Sequence, residues 1–466
     1  MAQEIGRRIA IVGAGFSGSL LAVHLLRRSR ASDRIYLIER DAEFGRGLAY
    51  GTGNPHHLLN VRAGNMSAFS DRPDHFLDWI RALPEEERAV VSVTEDRLTF
   101  VPRRLYGSYV QSILAREIRT AEGSQRLYLV ADEAVALHRR DAGYAVETAC
   151  GRLYEADAVA LATGNLPAAE APGYATNPWD PAALDGLDPD ADLLLVGTGL
   201  TMVDVVISLL DRKHRGAIRA ISRRGLLART HAATTPVPRI LPAAEAPLSV
   251  LGLLMRLRGE IRRHAASGGD WRAIIDSLRP DTQAIWRQLP LEEKRRFLRH
   301  LRPWWDVHRH RMAPGVAARI ARARERGQLV VERARLGGLE PRAGSLAVRL
   351  RPVGGGPERE ILVGRIIDCS GPLGVFSKAA SPLLQELLRS GDLRPDPLDL
   401  GLDVTAEGAA IDRDGRPSQR LFALGPLTKG VFWETTAVPD IRLQCERLAE
   451  RILSVVEVGS GEAAFS

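Results

Sequence analysis

An α/β protein built on two Rossmann-like dinucleotide-binding domains, the second carrying a helical insertion, is the fold class this 466-residue sequence predicts. Three observations predict it. Two glycine-rich turns, Gly13-Ala14-Gly15-Phe16-Ser17-Gly18 and Gly197-Thr198-Gly199-Leu200-Thr201-Met202, each follow an apolar run and open a helix-forming stretch. Two further apolar runs end in small polar turns, Ala162-Thr163-Gly164 and Cys369-Ser370-Gly371. Residues from about 244 to 301 are helix-forming, with apolar spacing of three and four.

The first turn ends the strand Ile9 to Val12 and starts a helix from Ser17 to Arg28. Glycine permits positive φ and close approach of the backbone to a pyrophosphate, and the helix N-terminus offers free N–H groups and partial positive charge. A second strand, Arg34 to Glu39, places an acid 24 residues past Gly15, where it can accept hydrogen bonds from an adenosine ribose. Arg40 beside it joins the candidate set.

The second turn has Met202 where the third glycine would stand. That glycine serves helix–strand packing, so the phosphate-binding half of the pattern survives. After its helix, Gly216 to Gly225 forms a short strand ending in Ser222-Arg223-Arg224, where an NAD site would offer an acid. Two guanidiniums suit a 2′-phosphate, so NADPH is favoured, with NADH as the alternative. Two dinucleotide sites in one chain imply a pair of cofactors that exchange electrons.

The first 170 residues read as the flavin half. Phe44 to Gly51, with Arg46 and Leu48, is too glycine-rich for a helix and reads, with Leu58 to Ser67, as ordered loop against a cofactor. Helices follow at Phe76 to Leu83 and Tyr106 to Thr120, then strands to about Val146. The Ser370-Gly371 turn mirrors Thr163-Gly164, which places the return to the first domain near 362. The expected domains are 1–172 with 362–456, and 173–361 with the insertion inside it. Pro439 suits the first turn of a final helix to about Val456, whose amides could face a flavin. The Gly-, Ser- and Ala-rich residues 457–466 read as a flexible tail.

Bulk properties exclude several classes. A hydrophobic fraction of 45% and a charged fraction of 26% are ordinary for a soluble enzyme. The net charge of +7 is nearly all arginine, with lysine only at Lys213, Lys294, Lys378 and Lys429. No nucleic-acid module accompanies it, so anionic small molecules are the expected partners. The chain enters its first strand within ten residues, and the longest apolar run, Leu193 to Leu210, is broken by Gly197, Gly199 and Asp204. Neither a signal peptide nor a membrane partner is expected, and a cytoplasmic location is. Cys150, Cys369 and Cys445 form no C-x-x-C pair, which removes a dithiol mechanism and fits a reducing compartment. No metal site is expected.

Together, Gly13-x-Gly15-x-x-Gly18, Gly45 to Tyr50, Leu58-Leu59-Asn60-Val61, Ala162-Thr163-Gly164, Asn177-Pro178-Trp179, Gly197 to Asp204, His308-Arg309-His310-Arg311-x-x-Pro314 and Gly430-x-x-Trp433-Glu434-Thr435-Thr436 resemble the bacterial FAD/NAD(P)-binding proteins of the YdhS-like family. That resemblance spans nearly the whole chain and includes a branch associated with FAD-dependent urate hydroxylation. More distantly the layout is similar to flavin-containing and N-hydroxylating monooxygenases, although their F-x-G-x-x-x-H pattern is missing after Gly164. The resemblance implies FAD on the first domain and places Asn60, Arg62 and Met66 near the isoalloxazine. Gly425, Trp433, Thr435 and Thr436 complete the flavin set, with Glu434 beside them unless it and Thr435 only cap the last helix.

The expected activity is NADPH-dependent reduction of FAD followed by oxygenation of a small polar substrate, urate being the family-level candidate. A flavin reductase or dehydrogenase is the alternative, and a non-catalytic flavin sensor a third. A homodimer is compatible with all three. Asn60, His308, His310 and Glu434 are the candidate catalytic residues. In an extended strand His308 and His310 would share one face, gripping the nicotinamide phosphate or an anionic substrate, or else the segment anchors the helical insertion.

Overall fold

The computed structural model describes residues 6–90, 97–120, 125–165, 175–178, 180–371, 375–378 and 381–462. Expectations for Trp179, for the domain boundary at 172 and 173, and for 463–466 lie outside them. Eleven elements matter most: β1 (Arg8–Val12), α1 (Phe16–Arg28), β2 (Arg34–Glu39), β3 (Ala158–Leu161), β4 (Leu193–Val196), α2 (Leu200–Asp211), β5 (Ile218–Ser222), α3 (Val250–Ala266), β6 (Arg365–Asp368), β7 (Pro417–Ala423) and α4 (Val438–Glu462).

Contacts divide the chain into two units, 1–53 with 61–168 and 372–466, and 54–60 with 169–371. The first holds a six-stranded sheet, ordered Ala409–Ile411, β7, β3, β1, β2, Leu127–Ala131. All neighbours are parallel except the outermost pair with β7. Its central strands are continuous apolar runs, as a sheet buried on both faces requires. Ile9, Ile11, Val159 and Leu161 are wholly buried. Helix α1 ends in Arg27 and Arg28, whose charge opposes the negative helix terminus.

A buried ion pair closes the base of that sheet. Asp33 accepts from the Arg7 amide at 2.9 Å, from Arg7 Nε at 3.1 and 3.0 Å, and from the Arg30 amide at 2.9 Å. Burial alone would raise the Asp33 carboxyl, but these hydrogen bonds outweigh it and hold it below its ordinary range. A group depressed in the folded state stabilises above its unfolded pKa, so this contribution is present above about pH 4 and fades as pH falls. Asp33→Ala is expected to cost about 3–5 kcal/mol in urea unfolding at neutral pH, because it strands a buried guanidinium, and less below pH 4.

The second unit holds a seven-stranded sheet, ordered Arg359–Val363, Ser345–Pro352, Leu329–Arg342, β5, β4, β6, Ala175–Thr176. Parallel pairing joins Leu329–Arg342 to β5, β5 to β4, β4 to β6, and β6 to Ala175–Thr176. Because β6 lies beside β4, the chain leaves this unit after Gly371, not near 362. The helical insertion also runs further than 301, through Arg302–Arg309, whereas Pro314–Glu325, whose Arg319 pairs with Asp211 of α2, is the crossover helix that leads into Leu329–Arg342. Residues 457–462, expected in a tail, continue α4. Among the described residues no helix is long and apolar enough to cross a membrane.

Candidate functional site: two matched phosphate loops

The two glycine turns are built by the same two backbone hydrogen bonds. In the first, the Gly13 amide donates to Ile38 O at 2.8 Å and the Ala162 amide donates to Val12 O at 2.7 Å. In the second, Gly197 donates to Ile221 O at 2.8 Å and Cys369 donates to Val196 O at 2.7 Å. Gly13 and Gly197 have φ of +100° and +112°, and a Cβ on either would lie 2.5 and 2.3 Å from the carbonyl of Ala162 or Cys369. Both turns therefore require glycine twice over, for conformation and for space. Each occupies the carboxyl end of a central strand flanked by parallel neighbours on both sides, the crevice where such sheets bind ligands. Neither α1 nor α2 has a side-chain cap, so both helix N-termini present open amides.

This correspondence aligns the surroundings residue by residue. Ile38 matches Ile221, so Glu39 matches Ser222 and Arg40 matches Arg223. Glu39 Oε2 accepts from the Ala14 amide at 2.7 Å, tying the acid to its loop. In the second unit hydroxyls replace it: Thr198 Oγ1 donates to Leu226 O at 2.6 Å and lies 2.9 Å from Ser222 Oγ, which accepts from the Gly225 amide at 2.9 Å. These bonds pin the turn that carries Arg223 and Arg224. Both arginines are exposed, and neither has an ion-pair partner among the described residues. Arg40 instead pairs with Asp41 at 3.2 Å.

The third glycine position separates the loops. A Cβ at Gly18 would lie 1.8 Å from Gly13 O, whereas Met202 is wholly buried in the corresponding place. Gly15 and Gly199 are the N-caps of α1 and α2, followed by Phe16, Ser17 and by Leu200, Thr201. The Gly45 amide donates to Ala14 O at 2.7 Å, and a Cβ at Gly47 would lie 3.0 Å from Gly15 Cα. This segment, expected to be non-helical, forms one α-turn at Gly47–Tyr50 with Arg46 as its N-cap. Arg46 bonds Gln111 at 3.1 Å and Glu43 at 3.3 Å, and Leu48 is exposed. Thr163 Oγ1 is a buried oxygen with no hydrogen-bond partner, next to Gly164 at φ +72°.

Gln444, which carries no sequence signal, and Cys445 knit the far side of the first site. Gln444 Oε1 accepts from the Gly425 amide at 2.7 Å and from Thr435 Oγ1 at 3.2 Å, while its Nε2 donates to Thr428 Oγ1 at 3.1 Å. Cys445 Sγ donates to Ser17 O at 3.3 Å, and a Cβ at Gly425 would lie 2.6 Å from Ser17 Oγ. The Thr435 hydroxyl is thus engaged by Gln444, not used as a helix cap. Glu434 is buried at φ +65°, its carbonyl accepting from the Thr436 amide at 2.6 Å. Holding a non-glycine residue there costs about 1 kcal/mol or more, as is common where surrounding structure fixes a site. Trp433 is buried beside it and Thr436 is exposed. Gln444→Leu is expected to weaken flavin binding by about tenfold, since it leaves the Gly425 amide unpaired; fluorescence titration of the stripped protein with FAD measures this.

The remaining candidates do not gather as expected. Asn60 clusters with the second unit, its carbonyl 3.0 Å from His231 Nε2, whereas Arg62 and Met66 belong to the first. The Met66 side chain is buried. His308 and His310 share no strand face, because Arg302–Arg309 is a helix with Pro303 in its first turn and His310 as its C-cap. His308 Nδ1 lies 2.7 Å from Trp304 O and its ring meets Trp271 edge-on at 4.9 Å. Arg311 is buried and paired with Asp276. Cys369 and Cys445 are buried, which raises both thiols and leaves them inert.

Comparisons with known proteins agree with this geometry. A family model described as FAD-NAD(P)-binding matches residues 10–166. Nitrosuccinic acid synthase of Aspergillus oryzae is 36% identical over 86 residues, 17% of this chain, and the match spans 13% of that protein's length. Ornithine N-hydroxylase of Kutzneria sp. 744 superposes with a TM-score of 0.67 at 16% identity, covering 97% of this chain and 99% of the other. The FAD-bound cadaverine monooxygenase of Erwinia amylovora gives 0.63 at 13% identity, over 97% and 95%. L-lysine 6-monooxygenase of Pseudomonas syringae gives 0.62 at 15%, over 97% and 99%. At such identities the likeness is one of fold: an α/β chain with two dinucleotide-binding units.

Proposed function

We propose that this chain is an FAD-dependent, NADPH-using monooxygenase of a small polar substrate. The observation that carries the reading is the matched pair of loops, one with an acid at the tip of its second strand and the other with Ser222, Arg223 and Arg224. The first site fits FAD: Gly13 and Gly18 allow the tight turn that seats α1 against its strand, Gly15 leaves the start of α1 bare, and Thr163 offers an unpaired buried hydroxyl. The open amides of α1 receive the pyrophosphate, and Glu39 Oε1 is left for the ribose. The second site fits NADPH, with the α2 amides on the pyrophosphate and the paired arginines on the 2′-phosphate. FAD, when bound, supplies the two-electron carrier between nicotinamide and oxygen.

The residues of this chain bind and orient. Arg62, Met66 and the 425–436 segment surround the flavin, and Gln444 fixes that segment. Glu434 is the proposed polar group for substrate, while Asn60, whose carbonyl meets His231, and His308 and His310, through Trp304 and Asp306, steady the second unit. The fold relatives with hydroxylase names act on amines, which supports a small amine as substrate class. Urate has no support among them.

The test is anaerobic mixing with NADPH, then with oxygen and a panel of small amines. Bleaching of the flavin band, followed by ¹⁸O from O₂ in a product, supports the reading. Bleaching with peroxide as the sole product across the panel favours a reductase, and no bleaching favours a sensor.

A further inference from the structure

Helix α3 packs by one stripe and leaves the neighbouring face uncovered. Val250 is buried and Leu253, Leu254, Leu257 and Ile261 are half-buried, the apolar stripe that holds such a helix. Leu251 and Met255 are 62% and 67% exposed, and Leu248, just ahead of the helix, is 58% exposed. Five large apolar side chains exceed half exposure among the described residues, and three of them sit here. Leu251, Met255, Arg258 and Arg262 are spaced four, three and four apart, so they form one stripe along the helix.

Charge is graded along the same helix. Its start carries exposed Glu245, in the turn Ala243–Glu245 before it, while Glu293, which accepts from the Val250 amide at 2.6 Å, is already paired with Arg296. Its second half carries Arg256, Arg258, Arg262 and Arg263 against Glu260. Glu260 is engaged by Arg256 at 3.1 Å and by Arg263. Arg258 and Arg262 are exposed with no carboxylate partner among the described residues.

We propose that a second copy of this chain covers this face, α3 packing antiparallel on its twin about a twofold axis. A twofold interface must be self-complementary, each residue i meeting j while j meets i. With the axis between Leu251 and Met255, each leucine meets the methionine of the other copy. The Arg258 to Arg262 half of each helix then runs toward the exposed Glu245 ahead of the other. Parallel pairing would stack arginine on arginine. A lipid surface would accept the leucines and arginines but would be repelled by Glu245.

Size-exclusion light scattering of the full chain over a dilution series tests this. The expected result is a dimer that Leu251→Asp with Met255→Asp weakens by about 30-fold, the variant keeping its far-UV spectrum because both positions are exposed. Arg262→Glu alone is expected to weaken it by about tenfold, and adding Glu245→Arg to restore it, since the swap re-forms opposite pairs across the axis. A wild-type monomer at every concentration, or a dimer indifferent to the Asp pair, overturns the proposal. Failure of Glu245→Arg to rescue Arg262→Glu overturns the antiparallel register. A monomer that sediments with phosphatidylglycerol vesicles through Leu251 and Met255 assigns the face to lipid and overturns it too.

Discussion

Alanine at position 18 is expected to yield protein purified without flavin. Its Cβ would stand 1.8 Å from Gly13 O and 3.2 Å from Ile11 Cγ2, with neither able to retreat. Ile11 is wholly buried in the central strand, and Gly13 is fixed by its bond to Ile38. Helix α1 must therefore move outward, taking with it the open amides at its N-terminus that receive the pyrophosphate. Overpacking of this kind costs about 1–3 kcal/mol of stability, which a domain of this size survives, so the loss should fall on the cofactor. The FAD dissociation constant is expected to rise by about 100-fold or more. Gly199→Ala is the paired control. Nothing lies within 4 Å of its Cβ and its φ of −81° suits any residue, so the fold and the flavin should be unaffected. Any loss there reads out NADPH directly, because an added methyl can collide only with a ligand. A Gly18→Ala protein that keeps its full flavin complement would show that the first loop is not the FAD cradle.

The contrast shows why these loops are legible from sequence. A phosphate loop is local: strand, glycine turn and helix are consecutive, and Gly13, Gly18 and Gly197 each answer a steric demand within a few residues or across one neighbouring strand. Glu39 and the Ser222-Arg223-Arg224 tip are equally readable, because each ends the strand after its loop helix. What could not be read was membership. The apolar run from Arg365 to Asp368 suits either sheet, and only its pairing with Leu193 to Val196 assigns it to the second. The chain therefore returns ten residues later than the Ser370-Gly371 symmetry suggests. Asn60 shows the same difficulty at the scale of one segment, since seven residues flanked by the first unit pack with the second. For His308 and His310 the signal was present but unused: Pro303, free of any need for an amide donor, opens a helix that alternation of basic and histidine residues had disguised as a strand. Gln444 had no local signal, because the groups it joins lie 9 to 19 residues away and meet only when α4 docks.

Removing both arginines, Arg223→Ala with Arg224→Ala, is expected to raise the KM for NADPH by about 30-fold or more while changing that for NADH by less than about twofold. Both side chains are exposed and unpartnered among the described residues, so no internal structure depends on them. The turn that carries them is held by Thr198, Ser222 and Gly225, and its backbone should stay in place. Flavin content and melting temperature should therefore match the wild type, which separates a binding effect from a folding one. The loop alignment carries the argument one step further. Ser222 occupies the position that Glu39 holds in the first unit, where a carboxylate accepts from the Ala14 amide and can face a ribose diol. Placing an acid there, Ser222→Glu in the Arg223→Ala, Arg224→Ala background, should lower the KM for NADH and repel any 2′-phosphate, turning preference from NADPH to NADH. If the ratio of kcat/KM for the two nucleotides is unmoved by the double alanine variant, the arginines are surface charge and the second loop does not read the 2′-position. If the ratio falls but Ser222→Glu fails to favour NADH, the arginines bind phosphate while the residue-by-residue match between the loops ends at the strand tip.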